Sequence, residues 1–221
     1  MLRFLFLIAL LFFQCASKKD ENIPKCEQIN QETAELIHEF YLDNNHSHLD
    51  SALKYIDNYL EKCKEYELLF SLRKLSILSL KKEYSDALMF IETFEDKMFG
   101  DLSYFKTILL YRFKAMQAHS DGKIKNRDDY LDSIIKELDK FILDNKNEVD
   151  SLLQLDDIED ILSNSLSTTL MQYYYYKSIL EGHEKVQSEI YSVFDKKEGN
   201  KDFYEMIITT FNEDFLIFTG M

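Results

Sequence analysis

A chain of 221 residues with one Pro, five Gly and 46% apolar side chains is long enough to bury one core and has few residues that interrupt helices. Forty acids against 26 bases give a net charge of −14, and no window is basic enough to follow a phosphate backbone, so nucleic acid is excluded as a partner. The same acidity suits either a solvated helix surface or a basic partner.

Residues 1–17, MLRFLFLIALLFFQCAS, carry one early Arg, ten apolar residues from Phe4 to Phe13, and then a Cys. The apolar run is too short to span a bilayer as an ordinary helix and has the dimensions of an export signal. Its closeness to Cys15 resembles a bacterial lipoprotein signal, although Phe12, Phe13 and Gln14 stand where that family prefers Leu followed by two small residues. The resemblance implies a signal peptide over 1–15, a lipidated Cys15 and anchorage in the membrane through the N-terminal lipid. Residues 16–25 then form a polar tether whose Lys18, Lys19, Asp20 and Glu21 look like those that send lipoproteins outward. With Ala16 in place of Asp after the Cys, the resemblance implies the outer membrane, periplasmic or surface-facing. The alternatives are cleavage after Ala16 or Ser17, which yields a soluble exported protein, and an uncleaved anchor.

The first helix is expected from about Cys26 to Leu42 and the second from about Leu49 to Glu65, joined by the turn DNNHSH. An antiparallel hairpin about that turn brings Cys26 and Cys63 to the same end, where a disulfide suits an oxidising compartment. The alternative is that Cys63 is a small buried hydrophobe. His46 and His48 in the turn are one residue apart, but a third ligand would have to come from Asp43 or Asp50, and no metal is expected.

The third helix, about Glu65 to Leu80, presents Leu68, Leu69, Leu72, Leu75 and Leu78. In the fourth, Tyr84, Ala87, Leu88, Ile91 and Phe94 fall at steps of three and four and line one face. About 35 residues earlier the same steps hold Leu49, Ala52, Leu53, Ile56 and Tyr59. Roughly 47 residues later they hold Leu131, Ile134, Ile135, Leu138 and Phe141. Such recurrence, with Ala52 and Ala87 where paired helices approach most closely, resembles the tetratricopeptide family over about residues 30 to 145. The resemblance implies stacked antiparallel helix pairs, an α-solenoid whose groove takes a peptide or partner helix. Ile134 takes the small residue's place in the third pair, and its volume should alter the packing there.

A fifth helix is expected over about Leu102 to Ala118, capped by Asp101, with Tyr104, Phe105, Ile108, Leu109, Tyr111 and Phe113 most of the way round it. His119 to Arg127 reads as a loop inserted in the array. Asn147 to Leu162 reads as one short acidic helix. The next helix ends at Gly182 and holds Tyr173, Tyr174, Tyr175 and Tyr176, which cover every face of it and are candidates for a contact surface or for the seal of a loosely built core. Two further helices, about Glu184 to Phe194 and Asp202 to Phe218, close the stack, with Phe218 docked.

No Gly-rich phosphate loop, Gly-x-Ser-x-Gly elbow, His-Glu-x-x-His pair or Cys-x-x-Cys is present, so no catalytic residue and no cofactor is assigned. The expectation is an all-α protein of about eight or nine helices after the signal, with one helical-repeat domain over 26–221. Its expected task is to bind an unknown protein or peptide, with a basic one favoured by charge, at the bacterial envelope. Two alternatives are an immunity protein that neutralises an envelope-targeted toxin and a lipoprotein that binds a small molecule or glycan against its tyrosines.

Overall fold

The computed structural model describes residues 25–100, 104–194 and 201–216. The signal segment with Cys15, the tether as far as residue 24, Asp101 and Phe218 lie outside them. The described residues are all-helical, with eleven α-helices, two 3-10 turns and no strand. The chain divides into two compact units between Phe70 and Ser71.

The first unit is a hairpin of α1 (Lys25–Asp43) and α2 (His46–Tyr59). Its connection is shorter than the sequence suggests. Asn44 takes a left-handed conformation (φ 56°), which Asn tolerates better than most residues, and Asn45 caps α2 by accepting from Ser47 N–H at 3.1 Å. The helix therefore restarts at His46, three positions before the expected Leu49. At its other end α2 stops at Tyr59 rather than Glu65, and a 3-10 turn, Lys64–Tyr66, leads on. Cys63 sits between them with non-helical backbone (φ −109°, ψ 68°). Ile29, Phe40, Leu49, Ala52, Ile56 and Cys63 are buried, together with Thr33, whose hydroxyl donates to the Ile29 carbonyl at 2.9 Å.

Helix α3 (Glu67–Leu80) crosses the division, with Leu75, Ile77 and Leu78 buried and Leu68, one of its expected core residues, exposed. The second unit continues with α4 (Tyr84–Glu92), α5 (Phe105–Ser120) and α6 (Ile124–Asp144), each packed on the next. It ends with α7 (Lys146–Leu152), α8 (Ile158–Leu162), α9 (Ser165–Glu181), α10 (His183–Phe194) and α11 (Lys201–Thr210). Helix α9 packs against α6, α7, α8, α10 and α11.

Three expected elements are redrawn. The inserted loop at His119–Arg127 is a tight helix stop: Lys123 N–H donates to the Ala118 carbonyl at 2.8 Å and Gly122 N–H to the His119 carbonyl at 3.0 Å, with Gly122 left-handed at φ 73°. These two bonds satisfy the last carbonyls of α5 and let α6 begin at Ile124. The single acidic helix over 147–162 is two helices, because Asp157 turns its carboxylate onto Glu159 N–H at 2.8 Å and starts α8 anew. The last helix stops at Thr210, and Phe211 and Phe215 are buried from non-helical backbone beyond it.

The same two-bond closure ends α3, where Glu83 N–H reaches the Leu78 carbonyl and Lys82 N–H the Ser79 carbonyl, both at 2.9 Å. Here the left-handed residue is Lys82 (φ 61°), which carries a steric cost that glycine avoids. Lys82→Gly should therefore raise stability by about 0.5–1 kcal/mol, and Gly122→Ala should lower it by about 1 kcal/mol. Denaturant midpoints of the two variants measure both; a loss in the first would overturn this account of the turn.

Candidate functional site

The sequence singles out two places among the described residues, the cysteine pair and the tyrosine run. Cys26 and Cys63 are joined by a disulfide, with Cα atoms 5.6 Å apart and a sequence separation of 37. It ties the first turn of α1 to the chain just past α2, at the end of the hairpin away from the Asn44–Asn45 connection. At the hairpin's other end His48 lies between Glu39 (3.2 Å) and Asp43 (3.0 Å). A hydrogen bond from Asn45 N–H, and then one from His48, holds the Asp43 carboxyl below the usual carboxylate range. Among the described residues no group of three or more His, Cys, Asp or Glu is arranged to hold a metal ion.

The tyrosine run lies in the third and fourth turns of α9, a helix started by Asn164, whose side-chain oxygen accepts from Leu166 N–H at 2.9 Å. Four consecutive positions on a helix point in four directions, and each ring meets a different neighbour. Tyr173 is half-buried; Lys177, four residues on, lies over its ring at 5.4 Å and bonds Glu189 of α10 at 2.5 and 2.7 Å. Tyr174 packs into an apolar cluster with Leu152, Ile161, Val186, Phe203 and Ile207. Tyr175 donates its hydroxyl to the Glu213 carbonyl at 3.4 Å. Tyr176 is fully buried, its ring centroid 5.7 Å from the Arg112 guanidinium carbon.

Burial pushes the phenols of Tyr174, Tyr175 and Tyr176 well above the ordinary tyrosine range, and the Arg112 charge opposes that rise at Tyr175 and Tyr176. Arg112 also opposes the rise that partial burial causes in the Glu213 carboxyl. Neutral phenols of this kind are weak acids and poor bases, suited to holding packed elements together rather than to moving protons. The contact surface expected of the run is thereby reduced to Tyr173, since the other three rings are enclosed and offer no face to a partner or a glycan.

Arg112 is the residue the sequence reading misses. It is 2% exposed on α5, between Ile108 and Met116, so it occupies an interior position of the apolar stripe. The signal was available: an Arg four residues from an Ile on one side and four from a Met on the other shares their face. The chain segment after α11 closes over this region. Phe211 meets His183 at 5.6 Å between ring centroids, Phe215 meets His119 at 5.8 Å, and Arg127 donates to the Nδ1 of His119 at 3.2 Å.

The chain matches no known protein-family model, no curated protein and no solved structure.

Two outcomes follow from these contacts. Reduction of the Cys26–Cys63 bond should lower stability by about 4 kcal/mol, because the freed loop regains its closure entropy in the unfolded chain. Urea unfolding with and without a thiol reductant measures this; a coincident pair of curves would show that the bond constrains nothing. The buried phenols have raised folded values, Tyr204 up to about 12, so the stability they contribute is complete below the unfolded value of about 10 and is lost as pH rises above it. Denaturant midpoints should fall steadily above about pH 10, and Tyr174→Phe with Tyr204→Phe should flatten that fall.

Proposed function

We propose that the protein is exported, held at the bacterial envelope by a lipid on Cys15, and binds another protein through stacked helix pairs. The observation that carries the export half of this reading is the disulfide between Cys26 and Cys63. Such bonds persist in oxidising compartments and are rare where thiols are kept reduced. The signal-like residues 1–15 supply an independent reason for the same compartment. No helix among the described residues is long and apolar enough to cross a membrane.

The repeat half rests on packing. Ala52 in the first unit and Ala87 in the second are each fully buried on the later helix of an expected pair, where a small side chain admits close approach. Ile134 is fully buried as well, in a helix that packs on both α5 and α9. In the second unit α5 and α6 are followed by α9 and α10, with α7 and α8 set between the two pairs. An array of paired helices offers exposed faces from successive turns and needs no reactive group, which fits adhesion better than catalysis.

The decisive experiment concerns the anchor. In a bacterial host fed labelled palmitate, the wild-type chain should be labelled and sediment with membranes, whereas Cys15→Ser should be unlabelled and lose the mature N-terminal cysteine by mass spectrometry. Labelling of both chains, or of neither, would remove the lipid from the proposal.

A further inference from the structure

We propose that the connection between α6 and α9 forms a docking cleft for a positively charged, amphipathic segment of the partner protein. This deepens the protein-binding reading and rests on it. Helix α7 ends at Leu152 and α8 starts afresh at Ile158. Beside this break lies a shallow, open cleft of about 490 Å³ lined by Asn147, Glu148, Ser151, Leu152, Leu155 and Asn164. Leu152 forms its buried floor, and Leu155 stands at its edge, 39% exposed.

The same stretch keeps two more leucines in water: Leu143 is 62% exposed and Leu162 37%. Leu155, at the cleft itself, adds to the buried Leu152 an apolar surface that a docked segment can cover. The charge says what covers it. Between Leu143 and Leu162 there are seven acids and one base, Lys146, a net −6 out of the chain's −14. Lys146 is already paired with Asp150 at 2.5 Å, so the stretch brings no cation of its own to face Glu148, Glu159 and Asp160. The Asp157 carboxylate is taken by the start of α8.

That combination selects one class of occupant. A second copy of this chain would bring another six negative charges to the contact, and an anionic membrane surface is repelled in the same way. A segment with apolar side chains on one face and Lys or Arg on the other satisfies both halves of the cleft. Leu152 and Leu155 supply the apolar contact, and Glu148 in the lining together with the net negative charge of the surrounding stretch steers the approach, with an attraction that salt screens over about 8 Å.

The test uses the full chain, disulfide intact, in nanodiscs of phosphatidylcholine, with a fluorescent amphipathic helix of leucines and lysines as probe. Anisotropy should show binding that weakens with added salt and is absent for the same peptide with glutamates in place of lysines. Glu148→Lys with Glu159→Lys, and separately Leu155→Ser with Leu162→Ser, should each weaken binding by about tenfold. Asp86→Lys with Asp129→Lys, the same charge change placed elsewhere on the second unit, should change it less than about twofold. Thermal unfolding of each variant at the wild-type midpoint establishes that the fold is kept. Equal losses from both charge pairs would reduce the effect to overall charge, and equal binding of the glutamate peptide or pairing of copies in sedimentation would overturn the proposal outright.

Photocrosslinking in cells separates this inference from the reading beneath it. A photoreactive residue in place of Leu155 should join a partner through a Lys- or Arg-rich segment identified by mass spectrometry. Adducts only from a probe at Met89, an exposed position on α4, would remove the cleft and keep protein binding. Adducts from neither position would remove both.

Discussion

Nine residues of α9 between Leu166 and Ser178 are buried, and they include Tyr174, Tyr175 and Tyr176 as well as Ser167, Thr169 and Gln172. A helix buried on so many sides has to satisfy its polar side chains from within, and α9 does so locally. Ser167, Thr169 and Ser178 bond carbonyls one turn back in their own helix, and Thr169 also meets the Tyr104 hydroxyl at 2.8 Å. The packing of α6, α7, α8, α10 and α11 against α9 depends on this, since each helix has an apolar stripe that must cover something. Without α9 those stripes would face water.

Arg112 shows what such a core tolerates. Taking a guanidinium out of water costs several kcal/mol unless the surroundings return it. Here the Tyr176 ring face, the hydroxyls of α9 and the nearby Glu213 carboxylate supply partial negative charge around it. The segment after α11 completes that environment: the Glu213 carbonyl accepts from Tyr175, and Phe215 covers His119. The residues past the last helix are thus part of the core.

The first unit solves its stability problem differently. A two-helix hairpin has little interior, and its buried side chains are few. The Cys26–Cys63 bond compensates by limiting the unfolded chain, and Asn44 and Asn45 close the opposite end with backbone geometry that most residues would resist. Such a unit is suited to an oxidising compartment, where its covalent tie is maintained.

Periodicity alone determined the all-helical class and most of the buried stripes: Leu49, Ala52 and Ile56, then Tyr84, Ala87 and Ile91, then Leu131, Ile134 and Leu138. Those are local signals, set by a repeat of 3.6 residues and legible without knowing any neighbour. Helix ends were less legible, because Gly122, Lys82 and Asp157 act through hydrogen bonds of particular geometry that residue type only suggests. The tertiary structure alone decided which of four adjacent tyrosines stays near water, and that an Arg in an apolar stripe is enclosed. A helix with apolar residues all round names no inside; only the surfaces packed against it do, and those come from residues as far as 65 positions away in the chain, as Tyr104 is from Thr169.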